Sequence, residues 1–145
     1  MVHGMGMIYV FNFFSTAKIW DVETGKVKQT LEGHSYAVTT LCMPNGIRVT
    51  GSQDKKIRIW YKGNLEREFV GHDDIIREFA EVPGLGFVSC SNDETVKLWT
   101  IDGSNLGQLR GHNGFVFSVT VLDSGEIVSG SDDKTVKVWR DGKCA

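Results

Sequence analysis

The chain is 145 residues long and close to neutral: 16 basic and 18 acidic side chains give a formal charge of −2, with 41% of residues apolar and 23% charged. These proportions describe one ordinary globular domain, argue against a dedicated nucleic-acid surface, and include no stretch near the roughly 18 apolar residues of a membrane helix. Three cysteines (Cys42, Cys90 and Cys144) are odd in number and lack ligand spacing, so neither a disulfide framework nor a metal centre is expected, and a reducing intracellular setting is.

At the N-terminus, the apolar run from Met7 to Phe14 followed by Ser15-Thr16-Ala17 has the outline of a signal peptide. No Lys or Arg precedes it and Asn12 interrupts it, so it reads instead as a strand. The segment "TAKIW" at 16–20 and the run Lys26–Glu32 follow as strands. From residue 33 onward the chain divides at Gly-His pairs into units 33–70, 71–110 and 111–145. Each holds short runs rich in Val, Ile, Phe and Thr separated by turn residues. In the last unit Phe115–Leu122 leads through the turn "DSGE" into Glu126–Ser131, then through "DDK" into Thr135–Trp139. "PNG" and "PGLG" make the corresponding first hairpin earlier, since Pro and Gly supply the backbone angles such turns need. Outer strands at Asn64–Val70 and Asn105–Arg110 are the most polar, as suits a sheet edge facing water. No helical period survives in any window.

One phrase recurs three times, as "IRVTGSQDKKIRIW" at 47–60, "FVSCSNDETVKLW" at 87–99 and "IVSGSDDKTVKVW" at 127–139. In each, an Asp stands six residues before a Trp: Asp54 and Trp60, Asp93 and Trp99, Asp133 and Trp139. The Gly-His pairs Gly33-His34, Gly71-His72 and Gly111-His112 lie 20 or 21 residues before those aspartates, so the phrase repeats every 38–40 residues. Four-stranded units of about 40 residues, marked by Gly-His and a closing Trp, are the signature of propeller blades. Over residues 16–145 the chain resembles the WD-repeat family, although only Trp20-Asp21 spells the dipeptide and Tyr61, Thr100 and Arg140 replace the Asp elsewhere. The expected fold is all-β, a WD-repeat β-propeller of about three and a half four-stranded blades in an incomplete ring. Its blades are a partial 1–32, then 33–70, 71–110, and 111–145 lacking its outer strand.

The resemblance implies a buried hydrogen-bond network in each blade: the His meets the turn Asp, a strand hydroxyl continues the chain, and the Trp indole N–H closes it. The sets are His34, Asp54 and Trp60 with Thr50 or Ser52; His72, Asp93 and Trp99 with Ser89 or Ser91; and His112, Asp133 and Trp139 with Ser129 or Ser131. Physically, a buried polar group is costly unless paired, so these side chains must find partners within the blade. Read as a hydrolase triad, the same three residue types would make three separate active sites, which argues for a structural clamp and against an enzyme. The histidines belong to different blades and should not converge on a metal. "GLG" at 84–86 has no helix after it and is a hairpin turn, not a phosphate loop. No catalytic residue, metal or cofactor is expected.

The residues freed from this structural work lie three and five positions after each His and one before each Asp, where the family often places partner contacts. They are Ala37, Thr39 and Gln53; Ile75, Arg77 and Asn92; and Phe115, Phe117 and Asp132. Phe115 and Phe117 beside Arg77 suit an interaction hot spot, with Phe117 as core between blades the alternative. The Asp73-Asp74 pair reads as a solvated turn. The segments "GHDDIIREFAEVPGLGFVSCSNDETVKLW" and "DSGEIVSGSDDKTVKVWRDGKCA" resemble the N-terminal propeller of the phospholipase A-2-activating protein family. That resemblance implies a non-catalytic platform binding ubiquitin or ubiquitinated proteins in ubiquitin-dependent turnover with the valosin-containing AAA ATPase. It also implies a cytoplasmic location, with the nucleus second. A WD-repeat scaffold of signalling or trafficking, and a purely structural repeat, are the alternatives. Neither nucleic acid nor membrane is expected as a partner.

The pattern breaks at both ends. Six residues before Trp20 stands Phe14 in place of Asp, Asn12 replaces a turn-side Ser, and a Gly-His for this blade would precede Met1. Open arrays leave apolar faces at their ends, so self-association of the isolated chain is expected.

Overall fold

The computed structural model describes residues 7–10 and 15–145. They form four antiparallel sheets in chain order. Met7–Val10 (β1), Ala17–Trp20 (β2) and Val27–Leu31 (β3) make the first. Val38–Cys42 (β4), Ile47–Ser52 (β5), Lys56–Tyr61 (β6) and Asn64–Val70 (β7) make the second. The third is Ile76–Val82 (β8), Gly86–Ser91 (β9), Val96–Thr100 (β10) and Asn105–Leu109 (β11). The fourth is Val116–Val121 (β12), Ile127–Ser131 (β13), Val136–Arg140 (β14) and Lys143–Cys144 (β15). Within each sheet the strands follow sequence order from β1, β4, β8 or β12, and the all-β fold of propeller blades read from the sequence is the fold observed.

Two details differ from the sequence reading. Arg140 and Lys143 pair, as do Trp139 and Cys144, so the fourth sheet carries the first two residues of the outer strand it was expected to lack. The turn Asp141-Gly142, with φ of 51° and 77°, lets the chain double back so soon. One turn of 3-10 helix, Pro44–Gly46, also occupies the first hairpin of the second sheet. At the N-terminus the apolar run supplies β1, which pairs with β2, so the first sheet has three strands. The expectations placed on Asn12 and Phe14 lie outside the described residues.

Burial follows position in the blade. β9 is buried at every residue because both its faces meet other sheets, whereas β7 is exposed at all but Phe69. Inner strands meet across the seams, β4 against β8 and β8 against β12. Each seam has its own core. Trp60 packs with Ala17, Ile19 and Leu31 of the preceding sheet. Trp99 joins Val49, Ile57, Ile59 and Phe79, with Phe87 stacked at a 6.4 Å centroid separation. Trp139 joins Val88, Cys90, Val96 and Leu109. Complete burial of a side chain such as Phe87 contributes about 1.5–3 kcal/mol. The seams are tight enough to exclude a methyl group: a Cβ on Gly51 would stand 2.6 Å from the Phe79 ring. The inter-sheet contacts step from first to second, second to third and third to fourth, and the ring is not closed.

Candidate functional site

The turn between the second and third strands of each complete blade places the Asp. Lys55, Glu94 and Lys134, immediately after it, adopt left-handed φ of 69°, 73° and 67°. This conformation is unfavourable for a side-chain-bearing residue. The Asp carboxylate offsets that cost by accepting backbone N–H groups on both sides. Asp54 accepts from Lys56 at 2.9 Å and Ser35 at 3.1 Å, Asp93 from Thr95 and Asp73, and Asp133 from Thr135 and Asn113.

From that anchor the clamp runs inward. His34 Nδ1 lies 2.8 Å from Asp54, its Nε2 lies 2.7 Å from Thr50 Oγ1, and the Trp60 indole N–H donates to the same oxygen at 2.9 Å. His72 joins Asp93 at 2.8 Å and Ser89 at 2.6 Å, with Trp99 donating to Ser89. His112 joins Asp133 and Ser129, each at 2.8 Å, with Trp139 donating to Ser129. The hydroxyls facing the imidazoles are therefore Thr50, Ser89 and Ser129. Ser52, Ser91 and Ser131 serve the loops instead. Each donates to a carbonyl of the loop before the inner strand, at Tyr36, Asp74 and Gly114, and accepts from the N–H of the turn Asp.

In the second blade the electrostatics suit a neutral His34 imidazole donating from Nδ1. Burial pulls the His34 pKa below its ordinary value, outweighing the opposing pull of Asp54. Burial opposes ionisation of Asp54 and Asp93, but their hydrogen-bond donors prevail and hold both carboxyls below the usual carboxylate range. The Thr135 hydroxyl, then His112, does the same for Asp133. Thr95 and Thr135 each donate a hydroxyl to the clamp Asp at 2.6 Å. The spacing rule overlooked these two threonines, though "DET" and "DKT" both end in a hydroxyl two residues after the Asp. In the second blade Lys56 takes that place, and Arg58 is buried beside the clamp, bonded through Nε to Glu68 at 2.7 Å. None of the His, Asp and Ser or Thr sets is offered to a substrate: His34, His72 and His112 are 5%, 1% and 5% exposed.

The freed residues lie along one rim. Backbone bonds tie the two loops of each blade together there: Gln53 N–H to Ala37 O, Asn92 N–H to Ile75 O, and Asp132 N–H to Phe115 O. Between the second and third blades Ala37, Thr39, Gln53, Ile75 and Arg77 line a cleft of about 470 Å³. Arg77 Nε donates to Asn92 Oδ1 at 2.7 Å, and its guanidinium stands 5.5 Å from the centre of the Phe117 ring. Phe117 in turn meets Phe115 edge to face at 6.4 Å. Both rings are 43% exposed, so Phe117 is not core between described blades. Asn92 departs from the reading as a contact residue: it is 7% exposed and spent on Arg77, which it orients from beneath.

Against this geometry the sequence can be compared with known proteins. A family model described as "WD domain, G-beta repeat" matches residues 25–61, 63–100 and 103–140. The chain belongs to this WD-repeat family. A solved relative, described as the WD40 beta propeller domain of Doa1, superposes with a TM-score of 0.82 at 33% identity, covering 90% of this chain and 46% of that one. Among curated WD-repeat relatives, "Ubiquitin homeostasis protein lub1" of Schizosaccharomyces pombe is 39% identical over 81 residues, 55% of this chain and 11% of its own length. "Nuclear distribution protein PAC1-2" of Uncinocarpus reesii is 28% identical over 160 residues, 89% of this chain and 35% of its own. "Ribosome biogenesis protein YTM1" of Vanderwaltozyma polyspora is 32% identical over 110 residues, 63% of this chain and 24% of its own. The WD-repeat chain thus spans about a tenth to a third of these curated relatives, none of which is named as an enzyme.

Proposed function

We propose that this WD-repeat segment is a non-catalytic platform whose rim binds ubiquitin or ubiquitinated proteins, serving ubiquitin-dependent turnover alongside the valosin-containing AAA ATPase. The observation that carries the reading is the Arg77–Phe117–Phe115 stack: two half-exposed aromatic rings held in place by a cation that Asn92 orients. Aromatic and Arg side chains fixed before binding lose little freedom on association, which makes them effective anchors. An exposed acidic group, Asp132, borders the stack, tied through its backbone N–H to the Phe115 carbonyl. The resemblance to the phospholipase A-2-activating protein family implies an apolar contact patch with basic flanks on ubiquitin, and apolar centre and acidic border here are its complement. The ubiquitin homeostasis name of one relative supports the same reading.

A second reading, a WD-repeat scaffold of another pathway, is favoured by the broader coverage of the nuclear distribution relatives. Titration of this chain into isotope-labelled ubiquitin separates the two. Shifts that saturate at about micromolar to sub-millimolar concentration are the expected result, weakened by Phe115→Ala and by Asp132→Lys at unchanged melting temperature. Absence of shifts at about 1 mM, well above that range, would leave the general scaffold as the function.

A further inference from the structure

The cleft between the second and third blades has both its walls within the chain, and the first and fourth sheets flank them. Ala37, Thr39 and Gln53 stand on one side, Ile75, Ile76 and Arg77 on the other. Thr39 shares a strand face with Leu41, which packs against the core between these two blades, so its side chain points to the third sheet. The walls are fixed before any ligand arrives, by the bonds from Gln53 N–H to Ala37 O and from Asn92 N–H to Ile75 O. Arg77 is fixed as well: Asn92, 7% exposed, accepts from its Nε, and the Phe117 ring lies against its guanidinium.

No charge among the described residues neutralises that guanidinium. Arg58 and Arg140 each pair with a glutamate, whereas Arg77 is bonded to a neutral amide and no carboxylate lines the cleft. Its two terminal amino groups, the Gln53 side-chain amide and the Thr39 hydroxyl make no hydrogen bond to a described residue. Because Asn92 occupies the Nε edge, the fork left open is the one formed by Nη1 and Nη2, which matches the two oxygens of a carboxylate. A single positive charge also balances a carboxylate better than a phosphate group, which carries close to two negative charges.

We propose that this cleft receives a glutamate or aspartate side chain of the partner protein. Its carboxylate bridges the terminal amino groups of Arg77 and accepts from Gln53 and Thr39, with its stem against Ala37 and Ile75. The proposal rests on the reading of this rim as a protein-binding surface, and not on ubiquitin being the partner.

Titration of the isotope-labelled chain with capped tripeptides, followed at the side-chain N–H signals of Arg77 and Gln53, tests this with no ubiquitin present. Acetyl-Ala-Glu-Ala-amide is to shift both signals and saturate at about millimolar concentration. Acetyl-Ala-Gln-Ala-amide is to leave both in place. Arg77→Gln is to weaken binding of the Glu peptide about tenfold or more. Gln53→Glu is to do the same at unchanged melting temperature, since the replaced residue is exposed and the new carboxylate occupies the Arg77 amino groups. The Asn92 bond and the Phe117 contact stay in place in that variant. No shift at about 10 mM Glu peptide overturns the proposal. So does an equal response to the Gln peptide, tighter saturation by acetyl-Ala-phosphoserine-Ala-amide, or undiminished binding in Gln53→Glu. Each of these outcomes leaves the ubiquitin reading to be decided separately by the Phe115 and Asp132 variants.

Discussion

The first sheet and the three that follow are built by the same strand pairing but locked differently. In the later blades the indole N–H of Trp60, Trp99 and Trp139 ends a chain of side-chain bonds that begins at the turn Asp. The Trp20 indole N–H has no partner among the described residues, yet β2 still pairs with β1 and β3 and still buries Ala17 and Ile19. Alternation of apolar residues and turn chemistry thus suffice for a sheet. The clamp is a separate device that fixes the Gly-His loop and the Asp turn to one another across the top of the blade.

The sharpest way to break the comparison is to remove the centre of one clamp. His72→Ala strips a 1%-exposed imidazole from both Asp93 and Ser89 and leaves a carboxylate and a hydroxyl without their partner. The expected loss is about 3 kcal/mol, read as a lower urea midpoint. A midpoint equal to wild type would mean that the clamp does not hold the blade. A smaller effect separates two tryptophans. Trp60→Phe forfeits the bond to Thr50 and should cost about 1–2 kcal/mol, while Trp20→Phe should stay within about 0.5 kcal/mol of wild type. Equal costs would show that packing alone matters at both.

Acid provides the mildest perturbation. Folded His34 has a pKa below 6.5, so the unfolded chain takes up its proton first as pH falls. Its contribution is therefore complete above pH 6.5 and is lost on acidification through the window below it. Asp54, held below 3.8 in the folded chain, adds a second loss beneath that value. Urea midpoints measured on acidification are expected to fall in this order, and His34→Gln to flatten the first step. A midpoint that rises between neutral pH and about 5 would contradict the assignment of a neutral, buried imidazole.

The blades were legible because their determinants are local and repeated. A Gly-His pair, an Asp six residues before a Trp and a Pro- or Gly-bearing hairpin each leave a mark at fixed spacing. The choice between Thr50 and Ser52 was not legible, since both lie on one strand face. Both are fully buried, and only position along the strand separates the hydroxyl that meets the imidazole from the one that meets the Tyr36 carbonyl. Asn92 was misjudged for a similar reason: its position in the turn is on the rim, but its side chain lies beneath Arg77, a contact made across the bulge in β8 that spacing does not encode. Lys143–Cys144 was missed because two residues are too short to carry an alternation signal.

The uniform seam has a consequence for how such a chain can change in length. Trp60, Trp99 and Trp139 each rest on an aliphatic pair of the blade before (Ala17 and Ile19, Ile57 and Ile59, or Val96 and Leu98), so the sequence repeat cut at Gly-His straddles two packing units. Duplication or loss of one entire repeat of 38–40 residues leaves every surviving Trp with a pair to rest on, and no interface has to be redesigned. A cut that removes the Trp strand without the aliphatic pair before it strands one half of a seam. Repeat number is in this sense an integer that heredity can raise or lower in single steps.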